Sequence, residues 1–175
     1  NISLFSENAH IFVMHDDRGI VSYLKASSLD FVRFFVANFG FSSPRGNDPY
    51  LTHILVSHEK NGAAIPHINM HDGLSSIIKM EYRGRLKEDE TPHNHQKSIS
   101  FISTFIKHFS KDASLVLDLF LGSGTTMVAA HQLSRKCYGV ELNEKYCQVI
   151  IDRMIKLDNT LTVKINGLNY EKQPE

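Results

Sequence analysis

Leu115-Val-Leu-Asp-Leu-Phe-Leu-Gly-Ser-Gly-Thr-Thr126, followed closely by Tyr138-Gly-Val-Glu-Leu-Asn143, is the stretch that decides the fold. The nearly continuous apolar run from Leu115 to Phe120 predicts a short strand buried on both faces. Gly122 and Gly124 interrupt it, and helical spacing resumes from Thr125 to Leu133. A glycine turn between strand and helix brings backbone close to a ligand, because no Cβ stands in the way and the first N–H groups of the helix face the turn. Cys137 to Val140 predicts a second strand, which delivers Glu141 to its carboxyl end 19 positions after Gly122. In doubly wound folds an acid at that spacing accepts hydrogen bonds from ribose hydroxyls. The pair points to a nucleoside-containing ligand. A dinucleotide fingerprint needs a third glycine where Met127 stands, so a nicotinamide-dependent oxidoreductase is the weaker alternative.

Asp118-Leu-Phe-Leu-Gly-Ser-Gly-Thr-Thr126 and Gly139-Val-Glu-Leu-Asn-Glu-Lys-Tyr146 closely resemble the cofactor half of S-adenosylmethionine-dependent DNA methyltransferases that modify adenine N6 or cytosine N4. Upstream, His93-Asn-His-Gln-Lys-Ser98 resembles the family's His-Pro-Thr-Gln-Lys-Pro segment, with Asn94 and Ser98 in place of its prolines and His95 in place of its threonine. The resemblance implies an α/β, Rossmann-like methyltransferase fold of three layers with a mostly parallel central sheet. It also implies S-adenosylmethionine as cofactor and duplex DNA as partner, in the setting of restriction-modification. Phe120, Gly122 and Gly124 would form the floor under the cofactor and Glu141 would hold its ribose, while Asp118 would approach the methionine portion. Lys97 with His95 and Gln96 would complete that side, and Thr125, Thr126 and Asn143 belong to the same candidate set.

Catalysis in this family uses an Asp/Asn/Ser-Pro-Pro-aromatic tetrad that holds the target amino group of a flipped base. The nearest candidate, Asn47-Asp-Pro-Tyr50, lacks the first proline and precedes a strand instead of ending one, so an ordinary turn is the better reading and no catalytic residue is assigned. Without the tetrad its strand is missing too, and backbone groups in the middle of a sheet do not stay unpaired. Residues 1–175 are therefore expected to form one methyltransferase domain incomplete at its N-terminus, with the tetrad upstream, on a second polypeptide, or lost in an inactive homologue. A non-catalytic cofactor-binding subunit is the alternative from another functional class.

At 175 residues the chain is one domain in size, and 42% hydrophobic with 22% charged residues is ordinary globular composition. Apolar runs are too short to cross a membrane and no secretory signal is evident. Cys137 and Cys147 match no metal site, and no metal is expected; reduced thiols fit a cytoplasmic protein. A formal net charge of zero argues against strong independent DNA binding, since phosphate neutralisation needs basic excess.

Along the chain, Ala9 to Met14 predicts a buried strand, and Ser27 or Ser28 caps a predicted helix reaching Asn38, with Leu29, Val32, Phe35, Val36 and Phe39 on one side. Leu51 to Ser57 predicts the next strand. Residues 63–92 lack periodicity and carry His67, His71, Arg83, Arg85 and Lys87, which fits either a short DNA-recognition loop or a polar surface loop. Helices are expected from Ser98 to Phe109 and after Asn143, a half-exposed strand from Thr160 to Ile165, and a polar tail from Asn169.

Overall fold

The computed structural model describes residues 7–16, 18–45, 48–66, 73–80 and 96–170. Strands β1 (Ala9–His15), β2 (Asp30–Arg45), β3 (Asp48–Asn61) and β4 (Ile77–Lys79) form one sheet in the order β1-β3-β2-β4. β3 pairs antiparallel with β1 and β2, whereas β4 runs parallel to β2 with Val36 opposite Ile77. Strands β5 (Leu115–Asp118) and β6 (Lys136–Gly139) pair in parallel, with helices α3 (Thr125–Gln132) and α4 (Glu144–Leu157) following each in turn. The sheets are thus mixed: parallel pairing holds at β5/β6 and β2/β4, antiparallel pairing through β1, β3 and β2.

Helix α2 (Ile99–Phe109) contributes buried side chains to both hydrophobic clusters, one on the four-stranded sheet and one on the β5/β6 unit. Ser98 caps it, its Oγ accepting from the Phe101 N–H at 3.4 Å. Phe101 and Phe105 pack with Phe35, Ala37, Val56, Ile78 and Met80 of the four-stranded sheet. Ile106, on the neighbouring face of the same helix, meets Ala129 and Ala130 of α3, with Val116 and Cys137 packed alongside. Each buried phenylalanine contributes roughly 2–3 kcal/mol of apolar transfer, so α2 is the element that joins the sheets.

The predicted helix from Ser27 or Ser28 to Asn38 is instead strand β2. Its aromatic and β-branched residues satisfy a helical stripe as readily as a strand, and pairing with β3 decides the outcome, with Phe35 opposite Val56 and Phe35 and Ala37 alternately buried. The helix on this side is α1 (Ile20–Ala26), which the spacing did not announce. Asp48, Pro49 and Tyr50 begin β3, Asp48 opposite Arg45, so the expected turn there is strand; Asn47 lies outside the described residues. Within 63–92, Ile78 and Met80 enter the core, while His67, His71, Arg83, Arg85 and Lys87 lie outside the described residues.

The expectation that Leu115 to Phe120 is buried on both faces does not hold. Only one face is covered: Val116 packs inward, while Leu115, Leu117, Tyr138 and Val140 on the other face are exposed. The Thr160 to Ile165 strand shrinks to β7 (Lys164–Ile165), which turns through Asn166-Gly167, both at positive φ, into β8 (Leu168–Asn169). That Asn-Gly pair is a hairpin signal, and it draws Asn169 out of the expected tail.

Candidate cofactor site

The glycine turn stands at the carboxyl ends of β5 and β6. Asp118 closes β5 and braces the turn, its Oδ1 accepting from the Phe120 N–H at 2.9 Å and its Oδ2 from the Thr126 hydroxyl at 2.6 Å. One side chain thereby ties the start of the turn to the first helical residues beyond it. Leu121 N donates to Val140 O and Gly124 N to Leu121 O, both at 2.9 Å, which folds the turn back over the end of β6. Gly139 makes room for this fold, because a Cβ there would stand 2.5 Å from Leu121 Cδ2. Gly124 begins α3 at φ +83°, and a Cβ on it would meet Ile150 Cγ1 of α4 at 2.9 Å.

Glu141 lies across this turn. Its Oε2 accepts from Gly122 N at 2.7 Å and its Oε1 from Asn143 N at 2.8 Å. A carboxylate has capacity for about four acceptor bonds, so the two amides orient the group beside the turn. Asn143 in turn caps α4, its Oδ1 accepting from Lys145 N at 3.0 Å. Phe120, on the turn, is 91% exposed, and Leu142, next to Glu141 in the chain, is 98% exposed.

The turn also reaches the segment before α2. Ser123 Oγ donates to Gln96 Oε1 at 3.1 Å, which sets Lys97 near the same wall; burial holds the Lys97 ammonium below the usual lysine range. The structure therefore brings together Gln96, Asp118, Gly122, Gly124, Thr126, Glu141 and Asn143 through direct bonds, with Phe120 and Thr125 on the same turn. His95 lies outside the described residues. Thr125 is buried and its Oγ1 has no hydrogen-bond partner, an orphaned polar atom at the start of α3.

Sequence reasoning missed Ser123 and Arg153. Arg153 of α4 is 8% exposed, and its Nη1 donates to Ser123 O at 2.6 Å and to Ser123 Oγ at 3.3 Å. One signal was available: Arg153 falls three residues after Ile150, on the apolar face of its helix, where a charged side chain needs a partner. Among the described residues no cluster of His, Cys, Asp and Glu is arranged to hold a metal ion, and no helix is long and apolar enough to cross a membrane.

The chain matches known proteins over this region. It is 31% identical to the type II methyltransferase M.HindIII of Haemophilus influenzae over 139 residues, which are 76% of this chain and 42% of that relative. The chain thus spans less than half the length of that relative. Among solved structures, the M1.HpyAVI-SAM complex superposes with a TM-score of 0.72 at 22% identity, covering 86% of this chain and 76% of that one. The cytosine-N4-specific PvuII DNA methyltransferase gives 0.68 at 16% identity, covering 83% and 57%. Likeness at these identities establishes the fold, a Rossmann-like methyltransferase fold. The N6/N4 methyltransferase family model, described as DNA methylase, matches residues 57–152, more than half of the chain, and the chain belongs to that family.

Proposed function

We propose that this chain carries the cofactor-binding portion of a DNA amino-methyltransferase, which transfers a methyl group from S-adenosylmethionine to adenine N6 or cytosine N4. The observation that carries the reading is Glu141 bonded to the Gly122 amide at the carboxyl ends of a parallel strand pair, where an acid and a glycine turn are placed to share one nucleoside. The residues fit the group: Phe120 and Leu142 offer exposed apolar surface for a flat base, and the orphaned Thr125 hydroxyl offers a polar contact.

When bound, S-adenosylmethionine supplies a methyl group already activated on its sulfonium. The work left to this chain is binding and orientation. Glu141, oriented by the Gly122 and Asn143 amides, accepts from the ribose hydroxyls. Gly122 and Gly124 hold the backbone close, and Asp118, braced at both oxygens, borders the methionine portion with Thr126. Gln96 and Lys97 close the opposite side, the resemblance adding His95 to that set, and Asn143 holds the end of β6 to α4. The acceptors for the target amino group belong to an upstream segment or a second polypeptide, or are lost in an inactive homologue. The exposed Leu115, Leu117, Tyr138 and Val140 support such a covering element on the open face of β5 and β6. Duplex DNA is the substrate, in a cytoplasmic restriction-modification setting, and the zero net charge makes duplex binding by this chain alone weak.

Isothermal titration with S-adenosylmethionine and its demethylated product tests the site. Loss of a carboxylate that accepts two hydroxyls should weaken binding about ten- to hundredfold in Glu141→Ala. No binding at millimolar ligand, or equal affinity in the variant, overturns the assignment. Tritiated methyl transfer to mixed-sequence DNA then separates the readings: incorporation by this chain alone overturns the non-catalytic alternative.

A further inference from the structure

We propose that Arg153 is the positioning residue of the glycine turn, setting the orientation of the Ser123–Gly124 peptide and through it the affinity for cofactor; this rests on the turn being the S-adenosylmethionine site. Arg153 lies on the apolar face of α4, three residues after Ile150, the side chain that packs under Gly124. A guanidinium this buried persists only where hydrogen bonds replace its water, because burying an uncompensated charge is strongly unfavourable. It finds them on the turn, at Ser123 O and Ser123 Oγ.

Peptide planarity carries this hold to the next residue. The Ser123 carbonyl and the Gly124 N–H belong to one rigid plane and point in opposite directions. A charge-assisted bond that fixes the carbonyl toward α4 therefore fixes the Gly124 N–H toward Leu121 O, which it reaches at 2.9 Å. Gly124 then enters α3 from φ +83°, a conformation that an unrestrained glycine shares with many others. The same Ser123 hydroxyl donates to Gln96, so Arg153, Ser123 and Gln96 form one line of polar contacts from α4 through the turn to the residue before Lys97. Arg153 touches no reacting atom in this arrangement. It acts by holding two walls of the site in register.

The test uses the 175-residue chain, Arg153→Met, Arg153→Lys, and Ile106→Val as a control that loosens the core away from the turn. Amide hydrogen exchange is read without ligand, and S-adenosylhomocysteine affinity by titration. In Arg153→Met the Gly122 to Thr125 amides should exchange about tenfold faster or more, and affinity should fall about ten- to hundredfold, the range for losing a hydrogen bond to a charged group. Arg153→Lys, which keeps a charged donor, should recover most of both, and Ile106→Val should change neither beyond about twofold. Unchanged exchange and affinity in Arg153→Met, or losses in Ile106→Val as large as in Arg153→Met, overturn the proposal. Fast exchange in Arg153→Met beside a wild-type chain that binds no S-adenosylhomocysteine overturns the cofactor reading and leaves the hold of Arg153 on the turn standing.

Discussion

The four-stranded sheet and the glycine-turn unit each hold a carboxyl group by hydrogen bonds, from opposite kinds of donor. In the sheet, Glu59 is fully buried: Ser57 Oγ donates to its Oε1 at 2.9 Å, and Ser27 and Tyr23 hydroxyls donate to its Oε2. Since the Ser57 proton goes to Glu59, His15 donates from Nε2 to Ser57 Oγ at 2.7 Å, and burial lowers the pKa of that imidazole, partly offset by Glu59. Side chains from β1, α1 and the segment before β2 thus converge on Ser57 and Glu59 of β3. At the turn, Glu141 accepts from the main-chain amides of Gly122 and Asn143. A carboxyl enclosed by side chains fastens elements together. One held by main-chain amides at a rim is proposed here to be kept in place for a ligand.

The largest effect should therefore come from Glu59. Its removal leaves the buried Ser57 hydroxyl and the half-buried Tyr23 and Ser27 hydroxyls without their acceptor, and Glu59→Ala should lose roughly 3 kcal/mol of unfolding free energy in urea. Glu141→Ala should lose no more than about 1 kcal/mol, because water can reach the amides it leaves. Equal losses would break the contrast and make Glu141 as structural as Glu59.

Acid should also find the sheet before the turn. His58, 2% exposed and stacked on Phe12 with ring centroids 4.6 Å apart, is lowered from 6.5 to about 4 by burial first and then by His10 and Arg33. Between those values the unfolded chain binds a proton that the folded chain refuses. The stabilisation is complete above pH 6.5 and declines as pH falls toward 4, and the lowered His15 works in the same direction. Unfolding free energy should drop by about 2 kcal/mol from pH 7 to pH 5 on account of His58. A His58→Leu chain should show a flatter profile over that window. An unchanged slope would move the acid-sensitive group elsewhere.

The same contrast separates what was legible in the sequence from what was not. The glycine turn could be read because its requirements are local: Gly124 needs its conformation within a few residues, and Glu141 returns to Gly122 through a short strand-helix-strand unit. β2 could not, because Leu29, Val32, Phe35 and Val36 sit at helical spacing while adjacent aromatic and β-branched residues favour a strand equally. The choice is made by β3, some twenty residues on, through pairs such as Phe35 with Val56. Glu59 reads as a strand-end residue in a polar cluster, since its donors Tyr23 and Ser27 come from a region whose spacing points to the wrong helix. Arg153 is hidden in a helix correctly expected, its meaning visible only when the turn is seen to lie against it. The burial expected of Leu115 and Leu117 came from composition, which reports how apolar a strand is and not what covers it.

The smallest effect concerns Asn143, where a helix cap and a ligand contact are both within reach. Its Oδ1 accepts from Lys145 N, and its own N–H donates to Glu141 Oε1. Those two bonds answer differently to mutation. Asn143→Ala deletes the cap, at about 1 kcal/mol, but keeps the N–H that orients Glu141. Melting should fall by about 2–4 °C for a chain of this size, with cofactor affinity within about twofold of wild type, and Asn143→Ser should restore the melting point because serine caps as well. If Asn143→Ala instead weakens cofactor binding tenfold while Asn143→Ser restores only stability, the amide itself contacts the ligand, and the rim around Glu141 extends one residue further than its backbone bonds require.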